Sequence, residues 1–262
     1  MGFMMSRLPG NFIEMPSCPG SNYNVDLADH LLAQKEGAGK RLLLMGHLDT
    51  VFFLNNSFQE FYREGNMMYG PGVADMQGGL VVLLYALKAL AQAGELDDKT
   101  LAILLNSDEE IGSLSSRKYL EEQALIHDYG LVHESGVTVN VGVISGGEAR
   151  NTIAPYAEAM VDLRYPQPQH GEDAVAQFEK IFGSVMSHPI DSGEISAESW
   201  INLHRPPKVP TAESEHLLEK TLAIGRLLGQ ELGIVNSGGG TEGSLTQAVG
   251  LPTLDSLGVA GP

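Results

Sequence analysis

The chain is punctuated by short, unbroken apolar runs. RLLLMG, opening at Arg41, is one, LAILLN at 101–106 is a second, and YGLV at 129–132 is a shorter third. Runs of this length are what strands buried on both faces require. Leu31–Gln34 reads as a further strand, separated from Arg41 by the turn sequence EGAGK. Between the runs lie helical patterns. Gly79–Ala93 is long, apolar and free of proline, which suits a helix laid on a sheet, and Ser113–Gln123 and His216–Leu232 read as two more. Strands alternating with helices are the grammar of a mostly parallel sheet. The stretch from Val137 to about Arg205 differs. VTVNVGVI and YAEAMVDLRY alternate apolar with polar, the pattern of an antiparallel sheet with one wet face, and residues 172–185 form an amphipathic helix between them. LPTLDSLG at 251–258 reads as a return to the parallel sheet, whereas the start, through about Gly20, is rich in Met, Pro and Gly and reads as irregular. The predicted fold is α/β: a mostly parallel sheet with helices on both faces, built from 1–136 and 206–262, with a small α+β unit inserted at 137–205.

Composition narrows the function classes. The 262 residues allow one large domain or two modest ones. With 43% hydrophobic and 19% charged residues, a packed core is expected. A formal net charge of −17 leaves no basic face for nucleic acid or for an anionic membrane surface. Lys88 stops the apolar run Leu80–Leu87 short of a membrane span. MGFMMSRLPG lacks the charged start and long apolar stretch of a signal peptide, so a cytoplasmic protein is expected. The single cysteine, Cys18, excludes an internal disulfide framework and a Cys-rich metal finger.

Four polar clusters fall where buried strands end or a helix begins. GHLDT follows the first run, YGPGVADMQGG precedes the long helix, NSDEEIGS follows the second run, and His133-Glu134 follows the third. Ligands in open parallel sheets bind at the carboxyl ends of the strands. Three strands therefore deliver a His, a Glu pair and a Glu to one edge, and a loop adds an Asp. Crowded carboxylates are costly without positive charge among them, and a divalent metal is the simplest answer. One His with carboxylates suits zinc, with cobalt or manganese as alternatives. There are more acids than one tetrahedral ion needs, which favours two metals and leaves a Glu free as a base. Singly, each motif has an ordinary explanation, such as a structural His or acids at a helix start; together and in this order they point to a metal site. Of the other histidines, His30, His127, His170, His188 and His216 read as surface residues.

GHLDTV, YGPGVADMQGG, NSDEEIGS, a strand ending in Glu134, and SGGGTEG followed by GLPTLDSLG resemble the dinuclear zinc exopeptidases and deacylases. That group includes glutamate carboxypeptidase, aminoacylase, acetylornithine deacetylase and succinyl-diaminopimelate desuccinylase. The resemblance runs from about Asp29 onward and is closest to the glutamate carboxypeptidases. It implies that His47 binds one metal, with Asp49 fixing the imidazole, and that Asp75 bridges two zinc ions. Glu109 would be the general base, Glu110 a ligand of the second metal, and Glu134 a ligand of the first. The peptide after Asp75 is often cis in this group. Asn151 and Arg205 match positions that face the substrate, the arginine gripping a free carboxylate, and Gly239 and Gly240 match a loop lying against it. The 137–205 unit resembles the group's lid, through which members often dimerise.

The implied activity is hydrolysis of an amide next to a free carboxylate, in a small peptide or an N-acyl amino acid. An N-acyl amino acid deacylase is the alternative within enzymes. Three departures support a third reading, a weakly active or non-catalytic shortened homologue acting as a binding or scaffold subunit. No His follows His216, although the group places a metal-binding His after a stretch like GLGVAGP. Only Ser135 and Gly136 separate Glu134 from VTVNVGVI, so about half the lid is missing, and the segment ahead of GHLDTV is short. The abrupt passage near Ser135–Val137 favours pieces of a longer chain joined in sequence over a genuinely shortened homologue.

Overall fold

The computed structural model describes residues 2–10, 12–15, 23–52, 57–132, 141–147, 151, 156–161, 165, 167–186, 199, 201, 205–234 and 240–258. In chain order the strands are β1 (Met4–Leu8), β2 (Phe12–Met15), β3 (Tyr23–Asp26), β4 (His30–Lys35), β5 (Arg41–His47), β6 (Tyr62–Glu64), β7 (Met67–Tyr69), β8 (Thr100–Asn106), β9 (Tyr129–Val132), β10 (Val141–Gly146), β11 (Ala157–Val161) and β12 (Thr253–Leu254). The helices are α1 (Gly78–Gln92), α2 (Arg117–Ala124), α3 (Pro168–Met186), α4 (Ala212–Leu227) and α5 (Glu242–Ala248).

Six strands make the main sheet in the order β1-β4-β8-β5-β9-β12. β8, β5, β9 and β12 run parallel to their neighbours, whereas β4 pairs antiparallel with β8 and β1 antiparallel with β4. The expected parallel sheet is therefore a four-strand block carrying an antiparallel edge. Two sequence expectations are corrected here. Leu31–Gln34 is a strand but not a parallel one, and the start is not irregular, since Met4–Leu8 pairs along β4. Side chains of β1 are mostly exposed, so this edge strand carries no buried stripe to betray it.

Alternation along β5 and β8 splits the core in two. Leu43, Met45, Ala102 and Leu104 join Leu120 and Ala124 of α2 and Leu245 of α5 on one face. Leu44 and Leu101 join Leu83 and Leu87 of α1 on the other. Helices thus cover both faces. By length and composition alone Val73–Gln92 is apolar enough to cross a membrane, with mean hydropathy 1.4. Here it lies along the sheet through Leu83 and Leu87, with Val81, Leu84 and Tyr85 turned to solvent. Away from the main sheet, β10 and β11 form an antiparallel pair, as their alternation predicts, and α3 covers the expected 172–185 helix with a turn added before it. Helix α4 starts and ends a turn earlier than the periodicity of 216–232 suggests. A Thr211–Ser214 capping box fixes its start, with each side chain bonded to the other's backbone N–H.

Candidate metal centre

The site is assembled at the carboxyl end of the parallel block. His47 is the last residue of β5, fully buried, and sits in register beside Asn106, the last residue of β8. The loop before α1 can approach because position 46 is glycine. A Cβ there would lie 2.4 Å from Cε of Met76 and 3.0 Å from Cδ2 of Leu80. Met76 is fully buried, and its sulfur accepts the His47 N–H at 3.0 Å. The Asp75–Met76 peptide is cis, and it sits in one wide helical turn, Val73–Gln77, in which both residues leave helical geometry.

Both ring nitrogens of His47 meet carboxylates: Nε2 lies 3.0 Å from Asp75 Oδ1, and Nδ1 lies 3.3 Å from Asp49 Oδ1. Asp49 in turn accepts the backbone N–H of Glu109 at 3.2 Å and of Glu110 at 3.0 Å. One carboxylate therefore ties the loop after β5 to the turn after β8. Ligand atoms of His47, Asp75 and Glu110 all lie within 4.8 Å of one another. Burial pulls the His47 pKa down, but its bonds to Asp49 and Asp75, helped by the charges of Glu242 and Glu109, outweigh this and push it up to about 12. Burial, then the charges of Asp75 and Glu109, raises Glu110 to about 7. Asp49 opposes its own burial through bonds to His47 and the Glu110 N–H and ends below its ordinary value. A cation among these groups would relieve the crowding of negative charge that raises both His47 and Glu110. One imidazole and two carboxylates fit a divalent metal, with zinc the natural choice.

Glu109 is almost wholly buried beside this cluster. Burial raises its pKa, against the pull of Arg205 and His47. Arg205 donates through Nη1 to a Glu109 carboxylate oxygen, and through Nη2 to the Glu109 carbonyl at 2.5 Å and to Ser113 Oγ at 3.1 Å. The carboxylate this arginine holds in the structure is thus Glu109's. Gly240 lies against it, since a Cβ there would come within 2.8 Å of Arg205 Nη1. Asn151 is an exposed turn residue, and none of the described contacts joins it to the cluster. Glu134 and Gly239 lie outside the described residues; β9 runs beside β5 and ends two residues before Glu134.

Three residues of the site escaped the sequence reading. Glu242, in the first turn of α5, is fully enclosed, and burial and the charge of Glu109 raise its pKa. In the orientation that satisfies both ends of its amide, Asn106 donates to Glu242 Oε1 at 2.8 Å and to the Gly46 carbonyl at 2.9 Å, and accepts from Ser113 Oγ at 3.3 Å. Ser113 thereby links Asn106 to Arg205. His30, read above as a surface residue, is instead buried, with Nε2 2.9 Å from Ser115 Oγ and Nδ1 accepting the Ser107 N–H at 3.3 Å. It sits where β4 enters the sheet beside β8, a pairing that the sequence pattern did not reveal.

Residues 43–262 match the family described as Peptidase family M20/M25/M40, and the chain belongs to this family of metallopeptidases and related hydrolases. It is 26% identical over 296 residues to carboxypeptidase G2 of Pseudomonas sp. (strain RS-16), covering 90% of this chain and 70% of that one. A stretch of 126 residues, 47% of the chain and 31% of the relative, is 33% identical to acetylornithine deacetylase of Salmonella arizonae. A tripeptidase structure from Staphylococcus aureus superimposes with a TM-score of 0.68 at 17% identity, over 87% of this chain and 75% of that one. The two share a fold.

Proposed function

We propose that the protein is a zinc-dependent exopeptidase that releases a C-terminal amino acid, glutamate or one like it, from a small peptide. The observation that carries this reading is the meeting of His47, Asp75 and Glu110 with a buried Glu109 beside them that is not part of their ligand cluster. His47 and Asp75, with Glu134, would hold one zinc, and Asp75 and Glu110 the other. Bound zinc supplies Lewis acidity for the scissile carbonyl and an acidified water. Asp49 holds the His47 ring through Nδ1 and so presents Nε2 to the site. Glu109, buried and free of the ligand cluster, takes a proton from water and returns it to the leaving nitrogen. Arg205 recognises the substrate's free carboxylate with its planar fork of donors. Asn151, Gly239 and Gly240 line the substrate's path. Residues 137–205 act as the lid and as the surface for a homodimer, with 1–136 and 206–262 forming the catalytic unit.

Similarity to carboxypeptidase G2 along most of the chain supports the peptidase reading. The match to an acetylornithine deacetylase favours a second one, removal of an acyl group from an N-acyl amino acid by the same site. Product analysis by mass spectrometry separates them. Zinc-loaded protein is incubated with C-terminal glutamyl peptides and with N-acetyl amino acids. Release of free glutamate from the peptides supports the exopeptidase; cleavage of the N-acetyl substrates alone replaces it with the deacylase.

A further inference from the structure

Arg205 has two separable edges. Nη2 is anchored on a backbone carbonyl and on Ser113, whereas Nη1 holds the Glu109 carboxylate. Its backbone is fastened from both sides. The Tyr165 hydroxyl donates to the Arg205 carbonyl at 3.0 Å, and three residues on Lys208 pairs with Asp255 at 2.6 Å, both side chains largely buried. Its stem passes over Gly240, where a Cβ would come 2.9 Å from Arg205 Cδ. Among the contacts named here, the one to the Glu109 carboxylate is the one that a turn of the guanidinium about its Nη2 edge would break. Ser113 is held from behind by Asn106, itself fixed by Glu242 and the Gly46 carbonyl, so the anchor is rigid.

A carboxylate gripped by a guanidinium has its charge and a lone pair committed, which makes it a poor acceptor for a proton from water. In the structure Glu109 is held in that condition. An incoming carboxylate can replace Glu109 at Nη1 and keep the guanidinium paired with an anion. A substrate without a carboxylate can free Glu109 only by leaving a buried guanidinium without its anion, and such an unpaired charge is a strong device for rejecting wrong ligands.

We propose that Arg205 is a specificity gate: it holds Glu109 in the free protein and exchanges it for the substrate's carboxylate, so that only carboxylate-bearing substrates release the base. The proposal rests on the reading of Glu109 as the base. It assigns Arg205 a second role, in which recognition and activation are one event.

The test uses zinc-loaded protein and a matched pair of peptides, one ending in a free α-carboxylate and one in the α-carboxamide. Arg205→Gln is expected to lower kcat/KM for the carboxylate peptide by roughly 100-fold and to raise it severalfold for the carboxamide. A fall on both peptides would make Arg205 only a holder of Glu109, and an unchanged carboxamide rate would make it only a substrate grip; either overturns the gate. A second measurement does not need turnover. Melting temperatures of wild type, Arg205→Gln, Glu109→Gln and the double variant, all zinc-loaded, should be non-additive in the free protein and additive in saturating glutamate. Additivity without glutamate, or coupling that glutamate leaves untouched, overturns the proposal. Should the wild type cleave neither peptide, the proposed function fails, and this cycle still decides the gate.

Discussion

Glu242 accepts from Asn106 through one oxygen and leaves the other without a partner among the described residues, in a fully enclosed site. In the sequence it is one acid in SGGGTEG, opening a short helix, and nothing there distinguishes it from a solvated helix start. His47, Asp75 and Glu110 were legible because each follows or precedes an apolar run that fixes its place at the sheet edge. Glu242 was not, because its partners Asn106 and Glu109 come from 133 or more positions earlier in the chain, and only tertiary packing joins them. The electrostatics of the legible residues make a prediction. His47 is raised from 6.5 to about 12, so the stability its proton adds to the metal-free fold is complete below pH 6.5 and lost as pH rises through about 12. Glu110, raised to about 7, is partly protonated at neutral pH. A metal needs both ligands unprotonated. Adding zinc to metal-free protein in weak buffer at pH 7 should therefore release about one to two protons per site, fewer as pH rises past 7 and Glu110 ionises by itself. Calorimetry in buffers of different ionisation enthalpy measures the number; no release would show that these residues do not take the metal.

The turn between β8 and α2 is where element prediction and structure part most clearly. The periodicity of 113–123 predicts a helix from Ser113, yet α2 begins at Arg117. Gly112 and Ser113 both have positive φ, 102° and 55°, which no helix accommodates. Asp108 causes the delay. It is fully buried and accepts the N–H groups of Ser115 at 2.6 Å and Ser116 at 3.1 Å, along with the hydroxyls of both. The segment coils around that carboxylate before the helix can start, and the coil is what brings Ser113 to Arg205. Helix periodicity cannot register an acid that satisfies backbone groups ahead of the helix. Asp108→Ala should cost about 3 kcal/mol, the order expected for several bonds to one buried carboxylate, read from denaturant midpoints of the zinc-loaded protein. A loss below about 1 kcal/mol would mean the coil is held by something else.

At the scale of the molecule, the apolar runs at 41–46, 101–106 and 129–132 were enough to place three of the four strands of the parallel block, because strands buried on both faces are continuously apolar. The antiparallel edge was not legible: β1 is nearly all exposed, and β4, with no exposed residue along its length, carries no sign of which way it runs. The same limit applies to the site. His47 and Glu110 follow from the ends of β5 and β8, whereas the Arg205–Glu109 pairing spans 96 positions. A net charge of −17 is concentrated in part here, where Asp49, Asp75, Glu109, Glu110 and Glu242 face only His47 and Arg205 among the described partners. That imbalance suits a site that holds a cation, and in the proposed function Glu109 stands apart from the ligands as the base. The most direct test compares wild type with Glu109→Gln for turnover of a glutamyl peptide, with zinc content measured on the same samples. The account predicts hydrolysis by the wild type and a fall of roughly 100- to 10,000-fold in the variant, with zinc content unchanged. Equal rates, or a variant that loses activity only because it loses zinc, would contradict it.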